Sequence, residues 1–73
     1  MNVQRIRIGS LVRGDRVLLL SEVKADLPDP EVFRPFDIVA VSREEPHHVH
    51  LRTSDAPASW ARWSREAFAW RIS

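Results

Sequence analysis

The chain has no cysteine, no tyrosine and only two glycines, and a single lysine stands among its eleven basic residues. Without cysteine no disulfide can staple the fold, and no cysteine-based zinc site can form. No apolar run approaches the roughly 18 residues of a membrane-spanning helix. The first twenty residues carry arginines throughout and lack the apolar core and small-residue cleavage site of a secretory signal. The expectation is a cytoplasmic protein with no membrane segment. A nucleotide-type glycine-rich loop is also missing. At 73 residues the chain is read as one domain, 1–73. A chain of this size buries only about 60% of its unfolded surface, so its core is small or completed by a partner.

The charge present is nearly balanced, at +1, but unevenly laid out. Residues 1–24 carry a net +3, residues 25–46 a net −4 and residues 47–73 a net +2. A dedicated nucleic-acid binder is usually more one-sided. Arginine supplies ten of the eleven basic groups. That bias, with Ala, Val and Pro, suits the GC-rich codons of a high-GC bacterium or its phage. Arginine also binds through a planar fork and by stacking, which lysine does not.

Strand signals dominate. In "VQRIRI", Ile6 and Ile8 alternate with Arg5 and Arg7, as in a half-buried strand. "RVLLLSEV" is the strongest run. Strict alternation puts Val17 and Leu19 on one face and Leu18 and Leu20 on the other. Both faces are apolar, so something must cover the second. Three of the five prolines fall in "ADLPDPEVFRPF", which excludes a regular helix or central strand there. That segment reads as a loop from Ala25 to Pro35. Its Leu27, Val32 and Phe33 are the expected cover for Leu18 and Leu20, and a second copy associating through those two leucines is the alternative. Strands follow at Phe36 to Arg43 and at "HHVHLRT", with Val49 and Leu51 inward and His48, His50 and Arg52 outward.

The tail admits two readings. Trp60, Trp63, Ala67 and Trp70 fall at helical spacing, which gives an α-helix over 57–70. Phe68, Trp70 and Ile72 alternate with Ala69, Arg71 and Ser73, which gives a strand and places Trp70 in the core. The preferred reading is a strand at Trp60 to Trp63, a one-turn helix at Ser64 to Ala67, and a final strand.

Arg13-Gly14-Asp15 spells a cell-adhesion tripeptide. With no sign of secretion, it is read as a turn in which Gly14 takes a positive φ. "GDRV", Gly14 to Val17, resembles the turn-and-strand opening of KOW and Hint-like barrels. The order of short strands, a long loop after the first strong strand and one helical turn before the last strand resembles an SH3-like small β-barrel of five or six strands. The resemblance implies an all-β fold that is mostly used for binding. It does not carry over the aromatic shelf for proline-rich ligands, since there is no tyrosine. Nor does it carry over KOW-type RNA binding, since no glycine follows Gly14.

Candidate chemistry is sparse. His48 and His50 lie two apart on a strand, and a His-x-His pair can hold a metal with Glu44 or Glu45. With no clear fourth ligand, they read as a solvated or lightly packed polar face, and neither metal nor cofactor is expected. Ser42 is a lone serine, so no catalytic residue is expected. Asp26, Asp29 and Glu31 read as a solvated acidic loop. Three tryptophans in so short a chain are many. Trp60 and Trp63 cannot both face inward from one strand, so one is exposed beside Arg62. If the last strand lies against the first, Arg5, Arg7 and Arg71 form an outer stripe. Exposed Trp and Arg dominate protein-binding hot spots and also bind nucleic acid. The expectation is a non-catalytic module that binds another protein through Trp60, Trp63, Arg62, Arg5, Arg7 and Arg71. A nucleic-acid-binding barrel using the Arg and Trp face is the alternative.

Overall fold

The apolar-polar alternation of the chain is realised as strands along its length. The computed structural model describes residues 2–73. Six strands run in the order β1 (Val3–Arg7), β2 (Arg16–Ser21), β3 (Phe36–Ser42), β4 (His48–Thr53), β5 (Ala56–Ser64) and β6 (Phe68–Ile72). They form one antiparallel sheet, ordered β1-β6-β2-β3-β4-β5. The sheet is open, with β1 and β5 at its edges. β2 and β3 pair only through Arg16–Asp37 and Val17–Phe36. The sheet therefore divides into two three-stranded halves joined at one short ladder.

Both helical expectations for the tail are corrected. β5 and β6 occupy the span proposed for a helix over 57–70. Ser64 to Ala67 is a β-turn closed by the Ala67 N–H on the Ser64 carbonyl, 3.1 Å away, not a one-turn helix. The only helical turn among the described residues is a 3-10 turn at Ile8–Ser10. Pairing decides against the helix. Trp63 lies opposite Val49, and Ala69 lies opposite both Ile6 and Leu20. Such cross-strand contacts outweigh local helical spacing.

Three bulges reset the alternation. Leu18 is an extra residue in β2, since Val17 faces Arg71 and Leu19 faces Trp70. Directly opposed residues of an antiparallel pair share a face. Leu20 thus joins Ala69 and Ile6 on the core face, while Leu19 joins Trp70 on the other. The strict alternation expected for Val17 to Leu20 is overturned by this bulge. Val39 is likewise extra in β3. In β5, residues 57–60 stand against Arg52 alone, because Leu51 faces Ala61 and Thr53 faces Ala56.

The core cluster is Ile8, Leu11, Val17, Ile38, Val49, Leu51, Ala67 and Ala69, with Ile6, Leu20, Phe36, Val41 and Trp63 packed against it. It draws on both halves of the sheet, so the sheet curls around it. Leu18 is buried at 1% exposure without the expected cover, since Leu27 and Val32 are 57% and 71% exposed and Phe33 is exposed too. Leu18 is thus unavailable for association between copies, whereas Leu20 is only partly buried against the core. No helix among the described residues is long and apolar enough to cross a membrane.

Gly14 has φ +96°, as the turn reading requires. The Asp15 N–H closes the turn on the Val12 carbonyl, and the Asp15 carboxylate accepts from the Val12 N–H. Gly14 N–H and Ile38 carbonyl, then Ile38 N–H and Asp15 carbonyl, tie the turn to β3 at 2.8 Å each. Gly14 therefore serves the strand that follows it.

Candidate binding surface

The wide bulge in β5 directs Trp60 to the outside. Bulges commonly re-aim a side chain in this way. Trp60 is 50% exposed. The Arg52 guanidinium stands over its ring, and Arg52 Nε–H donates to the Pro57 carbonyl inside the bulge. Arg52 therefore fixes both the bulge and the indole. Trp63, three residues on, faces Val49 and packs on the core. The expected split between the two tryptophans is realised, with Trp60 as the outer one.

Arg62 shares the outer face of β4 and β5 with Trp60 and lies opposite His50. Its Nε is 3.0 Å from Glu45 Oε2, which also lies 3.5 Å from His48 Nδ1. The Arg62 hydrogen bond holds the Glu45 carboxyl below the ordinary glutamate value. Glu45 is positioned from behind by Arg65. The Arg65 Nη2 donates to the Arg43 and Glu45 carbonyls, and its N–H donates to the His47 carbonyl. One turn thus anchors the β3–β4 connection next to the tryptophan.

An open hollow of about 300 Å³ lies beside Trp60, lined by Ser42, Glu44, His50 and Trp60. Ser42 and His50 are cross-strand partners, yet no hydrogen bond links Ser42, His50 or Glu44 to one another among the described residues. His48 and His50 do share the outer face of β4, as their spacing predicts. No group of three or more His, Asp or Glu side chains that could hold a metal occurs among the described residues.

The arginine stripe is divided. Arg5 lies opposite Trp70 and Arg7 opposite Phe68, whereas Arg71 lies opposite Gln4. Arg71 is therefore on the other face from Arg5 and Arg7, and its Nη2 reaches Gln4 Oε1 at 3.3 Å. The even spacing of Arg5 and Arg7 is out of phase with position 71 once β1 and β6 are in register. Arg7 stands 4.5 Å from the Phe68 ring centre, and Arg5 lies over both Phe68 and Trp70. Arg7 also donates to the Glu66 carbonyl and lies 3.9 Å from its carboxylate. Trp70 is buried, as expected, but it shares its face with Arg5 and Leu19 rather than with Ile6 and Ala69.

Sequence reasoning missed two contributors. The sequence marks Arg52 only as an outward residue, and Pro57 only as the start of the helix over 57–70. The signal was Pro57 itself, since proline in a strand marks an edge or a bulge. No family model, no curated protein and no solved structure matches the chain.

Proposed function

We propose that this chain is a non-catalytic, SH3-like module that binds another protein through the outer face of β4 and β5, with Trp60 at the centre. The observation that carries the reading is the half-exposed indole of Trp60, re-aimed by a bulge and pinned by Arg52. A tryptophan held rigid in the open presents a large contact area with little entropy left to lose. Arg62, one residue pair along the same face, adds planar hydrogen bonding. The SH3-like reading is supported by the order β6-β2-β3-β4-β5 and by a core shared between two three-stranded halves. A small accessory or inhibitor protein of a high-GC bacterium or phage fits the size and the arginine bias.

A second reading, nucleic-acid binding, is favoured by the other end of the sheet. Arg5, Ile6, Arg7 and Phe68 line an open hollow of about 260 Å³. Two features weaken it. Guanidinium groups already lie over Phe68 and Trp70, where bases would stack, and Arg7 is tied to Glu66.

The test is photo-cross-linking of the full chain in a lysate of its host, beside Trp60→Ala, with circular dichroism on both. Partner proteins captured by the native chain and lost with Trp60→Ala at unchanged fold support the proposal. Identical capture by both chains rejects the Trp60 face. Tight binding of a single-stranded oligonucleotide that weakens steeply with salt selects the second reading.

A further inference from the structure

The loop between β2 and β3 carries an unusual load. Val23, Leu27, Val32 and Phe33 are all exposed on it. Side chains of this kind gathered on one loop mark an interaction surface. At the junction of the two sheet halves lies a cleft of about 280 Å³, lined mainly by the apolar Leu19, Leu20, Phe36, Ala61 and Trp63, with Thr53 and Asp55 also on its wall. The chain thus has an apolar cleft and a set of partly to largely exposed apolar side chains on one loop. The loop leaves β2 just after Leu20 and enters β3 at Phe36, so its two ends flank the cleft. Phe33 is nevertheless 39% exposed and does not line the cleft of its own chain.

We propose that two copies of this chain associate by reciprocal docking of this loop. Phe33 of each copy enters the cleft of the other, and Arg34 of each pairs with the other's Asp55. Charge complementarity selects a second copy. Arg34 follows Phe33 directly, and its guanidinium has no hydrogen bond or ion pair among the described residues. Asp55 accepts from the Thr53 hydroxyl through Oδ1, which leaves Oδ2 without a partner among the described residues. A two-fold arrangement uses each pair twice, so one complementary contact counts double. The docked ring removes apolar surface from water in both the loop and the cleft. This association goes beyond the binding role of Trp60 and uses different residues.

Sedimentation equilibrium of the full chain over a wide concentration range tests it. The expected result is a reversible monomer–dimer equilibrium. Phe33→Ser should abolish the dimer, and Arg34→Asp should raise its dissociation constant by about tenfold or more, as loss of a close interfacial charge pair does. Adding Asp55→Arg to Arg34→Asp should restore association, a result that a merely damaged loop would not give. Trp60→Ala should leave the dimer intact, which separates failure here from failure of the protein-binding reading. A chain that stays monomeric throughout overturns the proposal. So does a dimer indifferent to Phe33→Ser. So does a monomer whose tryptophan fluorescence changes with Phe33→Ser, because the loop then closes on its own cleft.

Discussion

The guanidinium of Arg52 stands 5.4 Å from the centre of the Trp60 ring, and the same side chain closes the β5 bulge through the Pro57 carbonyl. One residue therefore performs two tasks, holding the backbone that aims the indole and the indole itself. Arg52→Ala removes both contacts. The expected loss of stability in urea is about 1 kcal/mol, the sum of a partly exposed cation–π contact and one hydrogen bond. Arg52→Lys should recover little of it, because an ammonium lacks the planar group that stacks while donating through Nε. Equal stability of the lysine and native chains would show that charge alone matters here.

Trp60→Ala should separate binding from folding. Trp60 projects from an edge strand and is absent from the core cluster. Removing it should cost no more than about 1 kcal/mol of stability, mainly the contact with Arg52. A central hot-spot tryptophan typically contributes about 2 kcal/mol or more to binding. Trp63→Ala should behave oppositely. It packs on the core partly buried, so its deletion should cost toward the low end of the about 3–5 kcal/mol of a fully buried aromatic, which thermal unfolding would register as a clear drop in Tm.

Gly14 should be intolerant of a side chain for a purely conformational reason. A Cβ at this position would meet nothing within 4 Å, yet φ is +96°. Gly14→Val should destabilise the fold by about 1–2 kcal/mol or more, since L-residues are disfavoured at positive φ and β-branched ones most of all. Arg13→Ala should stay within about 0.5 kcal/mol, as exposed positions usually do. Denaturant curves of the two variants make the comparison. A matching loss for Arg13→Ala would assign the tripeptide a structural role for its arginine that the turn does not require.

Much of this architecture was legible in the sequence, and the misses have specific causes. Val49 and Leu51 alternate cleanly with His48, His50 and Arg52, and β4 follows that pattern without interruption. The Arg13–Asp15 turn was readable because only glycine accepts its geometry cheaply. Where alternation failed, a bulge intervened. Leu18 carries no mark that distinguishes it as the extra residue in β2, since Val17 to Leu20 are uniformly apolar. Register was equally hidden. Nothing in "QRIR" or "WRI" fixes that Arg71 meets Gln4 rather than Arg5, and a one-residue slip exchanges faces. The cover expected from Leu27, Val32 and Phe33 rested on the same strict alternation, and those three side chains stay exposed while Leu18 is buried.

Glu45 gives the outer face a pH dependence whose sign follows from its pairing. The hydrogen bond from Arg62 is the leading cause holding its pKa below the ordinary glutamate value, with the charges of Arg62 and the nearby histidines assisting and desolvation opposing. A carboxyl with a depressed folded pKa stabilises the fold above its unfolded pKa, and that contribution is lost as pH falls through the folded one. The pair is exposed, so its share of global stability is small. The informative measurement is a carboxyl-carbon NMR titration of Glu45. Arg62→Ala should return its midpoint upward toward the ordinary value. A midpoint unmoved by that substitution would assign the shift to the histidines.

Gly9 is the position at which backbone proximity, rather than φ, crowds a side chain. Its N–H donates to the Arg65 carbonyl at 3.1 Å. A Cβ on Gly9 would lie 3.1 Å from Arg65 Cβ and 3.2 Å from that carbonyl oxygen. Neither atom is the free end of a flexible chain, so the 3-10 turn and the β5–β6 turn would have to separate. Arg65 also holds the β3–β4 connection through the Arg43, Glu45 and His47 carbonyls, so the displacement would travel toward Glu45 and the hollow beside Trp60. Gly9→Ala should therefore cost about 1–3 kcal/mol, the usual range for forced overpacking. It should also speed hydrogen exchange at the Arg65 and Ala67 amides, which donate to His47 and Ser64. Ser10→Ala, one residue along on the exposed side of the same turn, serves as the control and should change neither. If Gly9→Ala is as well tolerated as Ser10→Ala, the approach of the two turns has room to relax, and Arg65 loses the role of fixing Glu45 from behind.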